Sequence, residues 1–296
     1  MSQASDISKL NIRSDAEHLA QGFADLLAEA HQLAASISLG AHGRRRAGHG
    51  EEFWQYRTAL ETDALRDIDW RRSARSDDHF VRQHEWQNTQ SVHLWVDRGA
   101  SMRFRSKPTL PMKAHRAAVI GLSISILLAK AGERVGLTDQ IDPPKQGIVQ
   151  IEKMAMSLSG AFEDQEFAIP AKKHMKQGQK AVFISDFLGN WDQIFESLSY
   201  AANQHADGYL LQVLDPLEED FPFKGRTVLL SMSGSHKFET LRAQSLRDEY
   251  REKLAERKTA LQQLSKKTGW RYICHQTGEP AKVPMMWLYR ALGGHL

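Results

Sequence analysis

An α/β fold, a mainly parallel sheet covered by helices on both faces, is what the sequence predicts, and three observations carry it. Apolar runs of strand length alternate with helix-length apolar or amphipathic segments through most of the chain. Two of the strand-like runs end alike. Val92-His93-Leu94-Trp95-Val96 runs into Asp97 and, after a short turn, Ser101; Ala181-Val182-Phe183-Ile184 runs into Ser185-Asp186. In open α/β sheets ligand sites form beyond the carboxyl ends of the strands, so these polar residues mark one sheet edge as the place for function. Third, 296 residues with 41% hydrophobic side chains suffice for one large or two modest domains with a sizeable core.

The elements follow in order. Ser14-Asp15-Ala16-Glu17 fits a capping box, and Leu19, Phe23, Leu26, Leu27, Ala30 and Leu33 recur at three- and four-residue spacing behind it. This predicts an amphipathic helix ending near Gly40. The Gly/Arg/His-rich stretch from Gly40 to Gly50 reads as an exposed loop. His79 to Trp86 reads as extended, and Asn88-Thr89 as a turn into Val92–Val96, so these two strands are expected to pair as a hairpin. The expected division is therefore an N-terminal helix and strand-containing extension over 1–90, and an α/β domain over 91–296.

In the second part, Lys113 to Ala131 is a long apolar helix with Gly132 as its C-cap, followed by a short strand from Arg134 to Leu137. Pro143-Pro144 marks a loop. A helix over Ile151–Leu158, the strand Ala181–Ser185, a helix from Trp191 to Gln204 and a strand from Gly208 to Leu214 come next. Thr227–Ser231 reads as a further short strand, Leu241–Lys267 as a long charged helix and Trp270–His275 as the last strand. A final helix, with Pro284 at its first position, stops at Gly293-Gly294.

Composition excludes several classes. A net charge of +3 is too weak a bias to demand nucleic acid or an anionic membrane. One cysteine, Cys274, rules out an internal disulfide and fits a reducing compartment. Residues 1–11 carry no apolar run, so no secretory leader is expected, and the apolar run from Ala117 to Ala131 is too short and too polar to span a membrane. A cytoplasmic location is the expectation.

The tract Glu52-Phe53, Tyr56-Arg57, Leu65-Arg66-Asp67-Ile68-Asp69-Trp70, Ala74-Arg75 resembles the hallmark of bacterial proteins labelled domain of unknown function fifty-eight. In that family the hallmark precedes a von Willebrand factor A-like (vWA-like) domain. Further matches follow in the same order: the strand ending at Asp97 with Ser101-Met102, Gly132 to Leu137, Ile184 to Phe187, and Asp215 to Gly225. The resemblance implies a Rossmann-like vWA fold. It also implies a non-enzymatic interaction module acting as adaptor or co-chaperone of a MoxR-type AAA+ ATPase.

A vWA metal-ion-dependent adhesion site uses Asp-x-Ser-x-Ser, a threonine on a second loop and an aspartate on a third. Here the first motif reads Asp97-Arg98-Gly99-Ala100-Ser101, with Gly99 in place of a hydroxyl ligand and Arg98 adding positive charge; Asp186 matches the third element. Mg²⁺ on Asp97, Ser101 and Asp186 is one reading, since this hard cation takes oxygen ligands and keeps several waters. The alternative is that both aspartates cap turns or following helices. Under either, Asp97, Arg98, Gly99, Ser101 and Asp186 are the candidate partner-binding residues.

Two rival functions stay open. The first is an Mg²⁺-dependent hydrolase using Asp97 and Asp186, although no further base or nucleophile stands in a recognised motif. Gly121-Leu122-Ser123 lacks the rest of a nucleophile elbow and lies in an apolar helix. The second is a nucleic-acid binder through Arg44-Arg45-Arg46; against it, the stretch from Gly40 to Arg82 holds eight acids beside its nine arginines. Arg57, Arg66, Asp69, Trp70 and Arg75 read either as a partner-recognition surface or as a structural lock of the N-terminal extension, built from Arg–carboxylate pairs and a buried indole, with the lock the favoured reading.

Overall fold

In a computed structural model of the chain, the described residues are 24–37, 47–60, 63–64, 68–75, 78–85, 89–160, 162–234 and 237–293. In chain order they form α1 (24–37), β1 (Ala47–Thr58), α2 (Trp70–Ser73), β2 (Phe80–Glu85), β3 (Ser91–Val96), α3 (Lys113–Lys130), β4 (Arg134–Leu137), α4 (Ile148–Ser159) and β5 (Lys180–Ser185). Then come α5 (Trp191–Asn203), β6 (Asp207–Leu214), α6 (Pro216–Asp220), β7 (Thr227–Leu230), β8 (Lys237–Thr240), α7 (Arg247–Thr268), β9 (Arg271–Gln276) and α8 (Lys282–Ala291). The chain divides into two units, Met1–Gly40 with Gln90–Gly293 and Ala41–Thr89 with Gly294–Leu296.

The larger unit is built on a five-stranded sheet of order β4-β3-β5-β6-β9, with every neighbouring pair parallel. Parallel strands need helical crossovers, so both faces of the sheet are covered. One face, carrying Val92, Leu94, Val96, Val182, Ile184, Leu211 and Val213, is buried with residues of α1, α3, α4 and α8. The other, carrying Trp95, Ala181, Phe183 and Leu210, is buried with Ile194 and Leu198 of α5 and Leu261 and Leu264 of α7. The predicted α/β class, with helices on both faces, is what the chain adopts.

The expected division at residue 90 separates the wrong partners, because the N-terminal helix belongs with the sheet. Leu26, Ala30, Ala34 and Ile37 of α1 are all at most 4% exposed and join the core on the α3 side. The Ser123 hydroxyl in α3 donates to the Ala30 carbonyl at 3.1 Å. A helix with one apolar stripe has to bury it, and α3 supplies the surface. The capping box at 14–17 lies outside the described residues.

In the smaller unit β1 pairs antiparallel with β2, with Tyr56 opposite Arg82, Arg57 opposite Val81 and Thr58 opposite Phe80. This corrects the expected hairpin between 79–86 and 92–96. Both edges of β3 are taken, by β4 and by β5, and Val92–Val96 are buried throughout, so β3 has no edge to offer. Strand β1 begins at Ala47, inside the stretch expected to be a loop.

Two more elements differ. The short strand at 227–230 does not enter the main sheet but pairs with β8, and β8 with the 3-10 turn Ala243–Leu246 delays the long helix to Arg247. Pro284 is the third residue of α8, not the first.

One close approach fixes the second core. A Cβ on Gly208 of β6 would lie 1.9 Å from the Trp270 ring, which stacks on Phe183 at 5.7 Å and donates its indole N–H to the Ala206 carbonyl at 2.8 Å. Gly208→Ala is therefore expected to displace the indole and cost about 1–3 kcal/mol, the usual cost of overpacking. Chemical denaturation of the variant beside the parent chain checks this; equal midpoints would refute it.

Candidate functional site

Parallel pairing brings the carboxyl ends of β3, β5 and β6 to one edge. Val96 is opposite Ile184 and Ser185 opposite Gln212, and the Asp97 N–H donates to the Ile184 carbonyl at 2.9 Å. The residues following the strands therefore meet: Asp97 to Ser101 after β3, Ser185 and Asp186 at the end of β5, and Asp215 after β6.

Asp97 closes its own turn, accepting from the Gly99 N–H at 2.8 Å on one oxygen and from the Ser185 hydroxyl at 2.5 Å on the other. Ser185 in turn accepts from the Phe187 N–H at 2.9 Å. Asp186 accepts from the Leu188 N–H at 3.0 Å on Oδ1, and Oδ2 accepts twice, from the Ser101 hydroxyl and from the Lys113 ammonium, each at 2.8 Å. The Asp186 carbonyl takes the Gln212 side-chain amide at 2.8 Å, and Gln212 accepts from the Tyr272 hydroxyl at 2.6 Å.

Lys113, the first residue of α3, belongs to no motif in the sequence, yet it is the centre of the site. Its side chain is 0% exposed and donates to Asp186 and, at 2.6 Å, to Glu218. Glu218 also closes a capping box with Asp215 at the start of α6: Glu218 accepts from the Asp215 N–H at 2.9 Å, and Asp215 accepts from the Leu217 N–H at 2.9 Å. Asp215 ties a further loop by accepting from the Ser106 N–H at 2.9 Å. Burial would strip the Lys113 proton, but the two carboxylates outweigh it and hold the ammonium above the usual lysine range. Burial, with the Asp186 charge nearby, pushes Asp97 up to about 7.

A strip of chain covers this network. The Arg98 carbonyl accepts from the Glu163 N–H at 3.0 Å, while the Ala100 and Ser101 N–H groups donate to the Gln165 and Glu166 carbonyls, both at 2.8 Å. The Glu166 carboxylate then takes the N–H groups of Met232 and Ser233 at 3.0 and 2.7 Å. The strip accounts for Gly99. A Cβ there would sit 2.7 Å from the Ala168 nitrogen and 3.0 Å from the Glu166 carbonyl oxygen.

The candidate residues Asp97, Ser101 and Asp186 are thus brought together, but they are 1%, 6% and 1% exposed. The surface at this edge is formed by the covering strip, not by these side chains. Arg98 is half-buried with its guanidinium beside Gly160, at one end of a cavity of about 250 Å³ lined by Leu26, Met112, His115, Leu158 and Phe162. The capping alternative is realised in both strand-end turns.

The adhesion-site pattern implies a divalent cation, and these residues do not fit one. The ammonium of Lys113 already takes the Asp186 oxygen that would bind the ion, and Ser101 spends its proton on the same atom. A second hydroxyl cannot stand at Gly99. A cation beside that ammonium would meet repulsion of order ~4 kcal/mol per unit charge at about 4 Å in a partly polar interior. Among the described residues no group of three His, Cys, Asp or Glu side chains is disposed to hold a metal.

Other sequence features resolve as structure. Ser123 is fully buried and donates to the Val119 carbonyl at 2.6 Å, inside its own helix. Burial pushes the Cys274 thiol up to about 11, away from reactivity. Within the smaller unit Arg57 forms a bidentate pair with Asp63 at 2.5 Å, and Asp69 caps α2 and accepts from the Tyr56 hydroxyl at 3.2 Å. The expected buried indole is not there: Trp70 is 55% exposed. Arg66 and Arg44 to Arg46 lie outside the described residues. No helix among the described residues is long and apolar enough to cross a membrane.

The profile of the family described as "Protein of unknown function DUF58" matches residues 55–260. Among solved structures, the conserved hypothetical protein BatB from Bacteroides thetaiotaomicron is similar at 14% identity and a TM-score of 0.42, over 69% of this chain and 97% of that one. No curated protein matches.

The buried charges lend themselves to two measurements. Lys113→Met leaves Asp186 and Glu218 facing each other in a dry site and should cost about 3–5 kcal/mol, read by urea denaturation; a loss under about 1 kcal/mol, the level of an exposed pair, would contradict the ion triad. Asp97 is held protonated to higher pH in the folded chain than in the unfolded one, so between about 4 and about 7 the folded chain keeps a proton that the unfolded chain releases. Its stabilising share is complete below the unfolded value and declines as pH rises through that window, by at most about 1.4 kcal/mol for each pH unit crossed. Asp97→Asn should flatten this part of the stability–pH curve, and an unchanged slope would assign it to another group.

Proposed function

The chain belongs to the DUF58 family, and from that premise we propose that it is a protein-interaction module, not an enzyme, which binds its partner at the strand-end edge of its α/β unit. The observation that carries this reading is the character of the covering strip. It spends its backbone on the Asp97–Ser101 turn and turns apolar side chains outward: Phe162, Phe167 and Ile169 are 37%, 37% and 39% exposed. Arg103 lies over the Phe162 ring at 5.7 Å and donates to the Met232 carbonyl, and Met232 is itself 39% exposed. Exposed apolar side chains gathered beside buried, fixed loops fit a surface that another protein covers.

A binding role also suits the carboxylates. Asp97, Asp186 and Glu218 hold loops in place, each through hydrogen bonds inside the fold. The rival hydrolase would need one of them released toward a substrate. The partner we propose is a MoxR-type AAA+ ATPase, on the strength of the family resemblance, and the location we propose is the cytoplasm, in keeping with the single, partly buried cysteine.

The test is a pull-down of the tagged chain from native lysate with ATP and Mg²⁺, read by mass spectrometry, followed by affinity measurement with the enriched ATPase. Phe162→Ser with Phe167→Ser should weaken binding at least about tenfold, or about 1.4 kcal/mol, in a chain that still melts as one cooperative transition, with the melting temperature lowered by the lost ring packing. Unchanged affinity in that variant would remove the strip from the interface, and turnover of a phosphoester or peptide by the parent chain would remove the binding-only reading.

A further inference from the structure

We propose that Lys113 is the resident cation of the strand-end site: its ammonium stands where the adhesion-site pattern would hold a divalent ion, so the site is complete without metal and is converted into a cation site when the amine is removed. This goes beyond the interaction reading and does not depend on any partner.

Three observations converge on it. Asp186 Oδ2 accepts from both the Ser101 hydroxyl and the Lys113 ammonium at 2.8 Å, so the ammonium takes the carboxylate oxygen that the pattern's serine also uses. The ammonium has a second carboxylate, Glu218 at 2.6 Å, which the aspartate and serine pattern does not supply. Lys113 is the first residue of α3, where a positive charge faces the positive end of the helix, and it is fully buried there. A lysine in so unfavourable a place is held by what it pairs with. The remaining hydroxyl position is closed, since a side chain at Gly99 would run into the strip at Ala168.

The charge balance agrees. One ammonium supplies half the charge of Mg²⁺, and with Asp186 and Glu218 already matched against it little is left for Asp97, whose carboxyl is held toward its neutral form. Removal of the amine leaves Asp186 and Glu218, with the Ser101 hydroxyl on Asp186, around a gap the size of an ammonium group. Oxygen donors around such a gap suit a hard divalent cation with waters, or a small alkylammonium.

The experiment uses the full chain, with Mn²⁺ alone and ethylammonium alone as probes. Mn²⁺ binding is followed by water-proton relaxation and stability by thermal melting, against sodium chloride of equal ionic strength. The parent chain should show no saturable Mn²⁺ site at this edge and no melting shift. Lys113→Ala should melt lower and regain stability with Mn²⁺ or with ethylammonium, in a saturable way that Asp186→Asn abolishes. If Lys113→Ala does not fold unaided, it is refolded from urea with and without each probe, and recovery with a probe is the same positive result. A saturable Mn²⁺ site in the parent chain, lost in Asp186→Asn, would overturn the proposal. So would a Lys113→Ala chain to which neither probe restores stability or folding.

Discussion

A primary ammonium with no contact to water is tolerated in a folded chain only when carboxylates surround it, and the strand-end edge of this protein is organised to meet that condition. Lys113 joins the start of α3 to the end of β5 through Asp186 and to the start of α6 through Glu218. From those contacts the remaining bonds propagate. Asp186 fixes its own turn and the Ser101 hydroxyl, Glu218 fixes the Asp215 cap, and Asp215 fixes the loop at Ser106. Three loops from distant parts of the chain are held by one charge.

The same arrangement gives the edge its two layers. Beneath lie charged and hydroxyl groups, desolvated and mutually satisfied. Above lies the strip 162–169, which takes backbone groups of the Asp97–Ser101 turn and leaves Phe162, Phe167 and Ile169 partly outside. A carboxylate layer that no longer faces water can hold a surface in one shape, which is the part it plays in the binding role proposed above. Preorganised loops lose less freedom on binding, which is where a rigid polar base contributes to association. Gly99 belongs to this logic, since the residue that departs from the adhesion pattern is the one against which the strip packs.

Much of this is legible in the chain. The alternation of apolar runs with helices points to the parallel sheet, because buried parallel strands require both apolar faces and helical crossovers. The two strands ending in Asp97 and Asp186 locate the edge, because in such a sheet all carboxyl ends lie on one side. The hairpin expected between 79–86 and 92–96 fails for a reason of competition: adjacency favours pairing neighbours, but β3 is claimed on both edges by strands that bury it better. Position along the chain sets the N-terminal helix apart from the sheet, whereas its apolar stripe at Leu26, Ala30, Ala34 and Ile37 follows α3.

Local periodicity, and the identity of the polar residues that end the strands, are enough to settle the class of fold and the place where the strand ends meet. What occupies that edge is settled only by long-range packing. Lys113 is 73 residues from Asp186 and 105 from Glu218, and at the head of a helix a lysine reads as a solvated residue. No spacing in one dimension marks it as the charge that two buried carboxylates share, because burial and pairing arise only when the crossovers bring α3, β5 and α6 to the same end of the sheet.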